Sequence, residues 1–475
     1  MTVCGRVRLT RRHDRCACGW SGYLADDYLG LDGPLSAGAL RLACLSANGS
    51  SFAVAARHLQ EYCGLDLSVD MVRRHCEREA KAIGVWLDTQ EVVAELFAEA
   101  EGEPEFQTDA GKVNTTKGWK DLKVASFAKR PLAAPAEPEE WKTRSLPKPT
   151  AQVLFAAVAP IEEFIPLVEK QLDHLATTAA SASAAPVDPI VTAPALPAPA
   201  FEGEWAWGSE EPVHCLGDGA SWIWRASQEL FEHPRETLDF YHGTDAISKY
   251  TRRQYGEETE TKKARYERGV TLLLTAGDAG IRQFLEEERH LLQAERKASV
   301  NELSASTMLA TMLLTSSLTL PMLPVQAEVK ADAHADAKAE AHADGTAPKA
   351  MSTPTAREAV SFPKALPNAS DVPSELDEDD LEGIELQNAL KSKIPQQRID
   401  GLGRYFAKHA SRLNYADRLR EGRAIGSGMI EGNIKTITLR LKARGARWLL
   451  PNVVAMSRLC CLCNGTMWAD YWQSA

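Results

Sequence analysis

The chain has 475 residues, more than one compact core holds, so about three units are expected. Hydrophobic residues at 44% and charged residues at 25% are ordinary for a soluble protein and set the chain apart from fibrous and membrane compositions. A net charge of −11 would speak against a nucleic-acid partner, but residues 391–450 hold fourteen Lys and Arg against four acids, while 371–385 hold eight acids and no base.

The first 25 residues carry Arg6, Arg8, Arg11, Arg12 and Arg15 against Asp14, with Cys4, Cys16 and Cys18. With His13 as a fourth ligand they could form half of a zinc ribbon, although Cys16 and Cys18 stand as CxC rather than CxxC. An opening that has lost an upstream CxxC fits equally well. Residues 51–84 predict two helices: the first has Phe52, Ala55, Ala56, Leu59 and Cys63 on its apolar face and Gly64 at its end, and the second starts after the N-cap candidate Ser68. This is a helix-turn-helix outline that exposes Arg73 and Arg74, and a plain helical hairpin has the same pattern.

Strand patterns follow in EFQTDAGKV, DLKVASFAKR and AQVLFAAVAPI, and then a tract at 176–200 of almost only Ala, Ser, Pro, Thr and Val predicts a flexible insertion. A fourth strand, PVHCLGDGA, leads into helix WIWRASQELF, and a fifth, TLDFYH, into AISKYTRRQYG. Three successive strands followed by β-α-β-α is the order of a ribonuclease H-like mixed sheet. Residues 262–300 have helical period. The uncharged stretch 305–325 reads as a buried or irregular segment rather than a membrane span, because it is rich in Ser and Thr and contains Pro321. A biased tract, EVKADAHADAKAEAHADG, and the acidic run at 371–385 complete an insertion expected to be partly disordered. Ten cysteines in no paired framework, with no leader-like opening, point to a reducing cytoplasm.

Three carboxylates stand among small or apolar residues: Asp109 in EFQTDAGKV, Asp218 in VHCLGDGASWIW and Glu431 in IGSGMIEGNIK. Three converging hard oxygen ligands without His or Cys would suit Mg²⁺ or Mn²⁺, ions that typically work on phosphates. An Asp beside Gly more often marks a turn, so each acid taken alone carries little.

Together with their flanks they resemble the DDE transposases of bacterial insertion sequences, specifically the ISKra-type family related to the Mutator-like transposases. The resemblance lies in LGDGASWIW, in DFYH at 239–242, and in GRAIGSGMIEGNIKTITLRLKARGARWLLPNVVAMSRL; it covers most of 36–130, 213–250 and 398–472. It implies a ribonuclease H-like catalytic core at 99–250 and 396–475, interrupted by a helical, partly disordered insertion at 251–395. Before the core it places an Arg/Cys-rich segment at 1–35 and a helix-turn-helix DNA-binding domain at 36–98.

The resemblance also assigns roles. Asp109, Asp218 and Glu431 become the catalytic acids holding two Mg²⁺ or Mn²⁺ ions about 4 Å apart. His242 becomes an accessory histidine, although a satisfied core histidine fits the position equally. Arg11, Arg12, Arg73 and Arg74 become candidates for reading terminal inverted repeats, and Lys435, Arg440, Lys442, Arg444 and Arg447 for neutralising DNA phosphates. Trp448 suits a core position as well as a base stack. The implied partners are double-stranded DNA, as element ends and target, and further copies of the chain holding two ends together; no membrane partner is implied, and the place of action is the bacterial nucleoid. The competing readings are an inactive DNA-binding regulator, a nuclease or resolvase on the same fold, and, more remotely, a glycosidase, which the basic surroundings of Glu431 disfavour.

Overall fold

The chain reaches its sheet only at residue 103, after a layer of helices. In the computed structural model, which describes residues 2–3, 7–29, 31–32, 34–182, 212–316, 394–443 and 445–474, the antiparallel pair β1 (Asp14–Arg15) and β2 (Ser21–Gly22) comes first. Helix α1 (Leu24–Tyr28) and a second short pair, β3 (Leu31–Asp32) with β4 (Leu35–Ser36), follow. Then come α2 (Ala37–Gly49), α3 (Phe52–Cys63), α4 (Val69–Thr89) and α5 (Glu91–Glu99). Ser51 and Ser68 cap α3 and α4 by accepting the N–H of Val54 and Met71, and Gly64 ends α3 at φ 64°.

Strands β5 (Glu103–Thr115) and β6 (Gly118–Arg130) form a long antiparallel hairpin, and β7 (Ala151–Ala157) pairs antiparallel with β6. After α6 (Ile161–Ala182) come β8 (His214–Gly217), α7 (Ser221–Leu230), β9 (Arg235–Leu238) and α8 (Phe240–Tyr255). β8 pairs parallel with β5, and β9 with β8, so the mixed five-stranded sheet runs β7-β6-β5-β8-β9. Helix α9 (Glu260–Ser316) breaks at Gly277, and α10 covers residues 394–407. The chain closes with α11 (Tyr415–Arg420), α12 (Gly428–Leu441), α13 (Leu450–Asn464) and α14 (Trp468–Ser474). The architecture is α/β and mainly helical outside this sheet.

Residues 1–289 and 397–475 form one unit and 290–396 a second. Within the first, the helices of 36–98 are not a detached module: Leu40, Leu59, Ile83 and Phe97 belong to the same buried core as Phe127 of the sheet and Met456 of α13. Residues 251–289, expected in the insertion, also belong to the sheet-bearing unit. In the second unit the described residues 290–316 are helical. No helix among the described residues is long and apolar enough to cross a membrane. Residues 317–325 of the uncharged stretch, the low-complexity tracts at 183–200 and 326–370, and the acidic run 371–385 lie outside the described residues.

Candidate active site

One face of β5 builds the site. Glu105, Gln107, Asp109 and Gly111 alternate along it, and the first two are buried. Gln107 accepts the N–H of Ile430 at 3.1 Å, tying the start of α12 to the strand. Four residues on, a Cβ at Gly111 would overlap Thr438 Cγ2 and press on Ile434, so glycine lets α12 lie against the strand and brings Glu431 to Asp109.

Asp218 arrives from the neighbouring strand. The β5–β8 register pairs Gln107 with Leu216, and the same offset two residues later leads to Asp109 and Asp218. Asp218 accepts the N–H of Ala220 at 2.8 Å, so the turn expected of an Asp beside Gly is present as well. Gly219 stands at φ +100°, and a Cβ there would lie 3.0 Å from Leu238 Cδ1 and 3.2 Å from His409 Nε2.

These acids feel one another. Burial, and then the negative charges of Asp218 and Glu431, push the Asp109 pKa up to about 6, against the opposing pull of the Ala110 N–H and His242. The Tyr405 phenol on α10 is raised to about 12, by burial first and then by Asp218 and Asp239.

The closest grouping is a different one. Among the described residues, Asp239, His242 and Glu431 have ligand atoms within 4.8 Å of one another, and Asp109 and Asp218 lie outside that group. Asp239 follows β9, caps α8 and is fully buried. Its Oδ1 accepts the His242 N–H at 2.8 Å and meets His242 Nδ1 at 3.1 Å. Its Oδ2 accepts the Ser427 N–H and meets the Ser427 hydroxyl at 2.9 Å. That hydroxyl lies 2.8 Å from Glu431 Oε1, which is 3.8 Å from His242 Nδ1.

The hydroxyl has one proton to give, so it serves either Asp239 or Glu431 at a time. Burial raises the Asp239 pKa, but the hydrogen bonds from His242 and Ser427 outweigh it and hold it below the usual carboxylate value. The Asp239 hydrogen bond in turn raises the His242 pKa against burial, helped by Glu431 and Asp218. Four donors surround the Asp239 carboxylate, so it orients His242 and the 426–428 turn rather than facing a ligand. His242 Nδ1 is engaged by Asp239 at 3.1 Å.

In the sequence Asp239 stands out only within DFYH and Ser427 only within the Gly-Ser-Gly of IGSGMIEGNIK, neither with a role of its own. The one available signal for Ser427 is its position four residues before Glu431, one turn away on the entering helix.

The predicted cationic contacts separate sharply. Arg440 is a correction: it is 5% exposed, donates from Nε to the Ala47 carbonyl, and lies over the rings of Phe52 and Trp448 at 4.7 and 5.3 Å. Burial lowers its pKa, and it clamps helices together rather than meeting phosphate. Trp448 is core, its indole N–H donating to Leu441 at 2.8 Å. Lys435, Lys442 and Arg447 are exposed, and Arg444 lies outside the described residues.

Arg73 pairs with Asp70 and Glu77 at 2.6 and 3.1 Å, and Arg74 with Asp70 at 2.8 Å. Arg11 meets Asp26 and stacks 4.6 Å over Tyr23, and Arg12 meets Asp14 at 2.6 Å. Cys16 and Cys18 are exposed, His13 meets the Ser21 hydroxyl at 3.2 Å, and Cys4 lies outside the described residues. Among the described residues those three form no close ligand group.

No family model matches the chain, and no curated protein matches it.

Proposed function

We propose that the chain is a DDE transposase of the ISKra-type family that binds insertion-sequence ends and catalyses metal-dependent DNA cleavage and strand transfer. One observation carries the reading: the offset of the β5–β8 register leads from Asp109 to Asp218, and Gln107 and Gly111 let α12 lie with Glu431 against the same strand. Asp218 stands just past the C-terminal end of β8, where open α/β sheets place their ligands. The strand order β7-β6-β5-β8-β9, antiparallel then parallel, supports a ribonuclease H-like core.

A set of carboxylates with hard oxygen donors fits Mg²⁺ or Mn²⁺, which Asp109, Asp218 and Glu431 would hold. Bound there, the ions supply activation of an attacking oxygen and neutralisation of phosphate charge. His242, whose proton affinity the hydrogen bond to Asp239 raises, presents Nε2 to a phosphate oxygen. Lys435, one turn beyond Glu431 and exposed, extends the positive surface along α12. The paired helices α3 and α4 serve as the helix-turn-helix, with Arg73 and Arg74 exchanging Asp70 for phosphates when DNA binds. Arg11 and Arg12 make similar contacts beside them, and two or more copies hold paired element ends.

The test uses DNA flanking the gene, with Mg²⁺ or Mn²⁺, and compares the wild type with Asp218→Asn. Cleavage and joining should fall by roughly 10²-fold or more, as the loss of several kcal/mol of charge stabilisation requires, while binding stays within a few-fold. Unchanged activity in the variant would refute the site. Cleavage without joining would favour a nuclease or resolvase, and binding with neither would favour a regulator.

A further inference from the structure

Beside the acidic cluster lies a pocket of about 450 Å³, within the size range of small-ligand sites. Its walls include Trp141, Lys142, Arg144, Lys148 and Tyr241 and the backbone of 424–429, and they contain four cationic residues and no acid. Trp141 packs edge-on to Phe240, with centroids 4.9 Å apart, and to Tyr241 at 6.1 Å. Tyr241 is 58% exposed. Lys142 Nζ lies 5.4 Å from the centre of the Trp141 ring, and among the described residues neither Lys142 nor Lys148 has an ion pair.

Arg144 gives one terminal nitrogen to the Arg423 carbonyl, and its Nη1 is buried without a partner. A buried donor left unmatched costs about 1–3 kcal/mol, more when charged, so Arg144 is a cation that the fold leaves incompletely satisfied at this wall. The pocket shares a seam with the acids. Tyr241 lies between Asp239 and His242 in the chain, and a Cβ at Gly426 would stand 3.0 Å from the Tyr241 ring and 3.3 Å from Asp239 Oδ2. Gly426 and Gly428, both lining the pocket, flank the Ser427 that bonds Asp239.

Unopposed cations beside two aromatic rings select a ligand with both a negative charge and a flat face, which is the chemistry of a nucleotide. We propose that this pocket takes one unstacked nucleotide of the DNA strand entering the acidic cluster, with phosphate on Arg144, Lys142 and Lys148 and base against Trp141 and Tyr241. The assignment rests on the nucleic-acid reading of the neighbouring site but needs no catalysis. A nucleotide held here fixes the strand next to the phosphate presented to Asp109, Asp218 and Glu431. It also favours strands already unpaired, since a paired base must first leave its stack.

The test is made on the full chain in EDTA, where no cleavage occurs. Fluorescence anisotropy with a labelled twelve-residue oligothymidylate and with the matching duplex should show preference for the single strand. Lys142→Ala/Lys148→Ala, two exposed positions, should weaken single-strand binding roughly tenfold without altering the melting temperature. The same oligonucleotide carrying 5-iodouracil, irradiated in the complex, should crosslink to Trp141 or Tyr241, and Tyr241→Ala should reduce that yield. Wild-type affinity in the lysine double variant, or crosslinks only at residues outside the pocket, overturns the proposal. If the wild type cuts flanking DNA while the pocket variants bind as it does, the pocket reading falls alone. If it cuts no DNA with either metal yet crosslinks through Trp141, the pocket reading stands and the transposase reading falls.

Discussion

Asp109 carries a charge that the metal-free protein holds at a cost. Its folded pKa of about 6 lies above the ordinary 3.8, so between those values the native state binds more protons than the unfolded one and stability falls as pH rises. The shift of about two units corresponds to about 3 kcal/mol, absent near pH 4 and fully present above about pH 7. Asp109→Asn should therefore be more stable than the wild type at neutral pH by up to about that amount, with the difference closing toward pH 4. Urea unfolding of both proteins in EDTA across this range reads it directly; a difference independent of pH would mean that neither burial nor the neighbouring acids destabilise the carboxylate. Asp109, Asp218 and Glu431 stand out in the sequence because their small neighbours and flanking motifs set them apart. The part played by Asp239 is not, because its carboxylate is satisfied by Ser427, 188 residues away, and no local pattern reports such a contact.

At the scale of elements, the site depends on how closely α12 approaches β5. Gly111→Ala should cost about 1–3 kcal/mol by pushing Thr438 and Ile434 away, and should lower cleavage by displacing Glu431. Adding Thr438→Ser removes the methyl that the new Cβ meets first and should restore much of both losses. If the double variant is no better than Gly111→Ala, the helix is set by other contacts.

The same helix explains why its cations differ. Lys435 is four residues after Glu431, about one turn on, whereas Arg440 is nine residues after it, two and a half turns at 3.6 residues each, and so on the opposite side. Ile437 and Leu441 share that buried side. Helical arithmetic thus holds the correction for Arg440, which net charge along the segment conceals. Lys435→Ala should weaken DNA binding evenly across sequences and lower the salt slope by about one, with melting unchanged. Arg440→Ala should instead destabilise by about 2–4 kcal/mol through lost packing and ring contacts. A matching fall in melting temperature for both variants would contradict this division.

At the scale of the whole molecule, the helices of 51–84 are legible in the sequence, but their attachment is not. Capping serines and the apolar period define α3 and α4 locally, whereas the surface that α4 covers belongs to α13, nearly four hundred residues later. Arg458 of α13, 4% exposed, pairs with Asp88 at the end of α4 and lies 4.6 Å over Phe155 of the sheet. Val72, Ile83, Trp86 and Leu87 of α4 are buried in the shared core. At about 1.5–3 kcal/mol each these four contribute about 6–12 kcal/mol, as much as the entire net stability of a typical domain, about 5–15 kcal/mol. A chain lacking residues 1–98 should therefore show no cooperative urea transition and bind a hydrophobic dye, whereas a detachable DNA-binding domain would leave residues 99–475 folded and able to cut DNA non-specifically. Cooperative unfolding of that fragment at near full-length stability would return 36–98 to the status of an appended module. Its loss would mean instead that Arg73 and Arg74 stand on the same core as the strands that carry the acids.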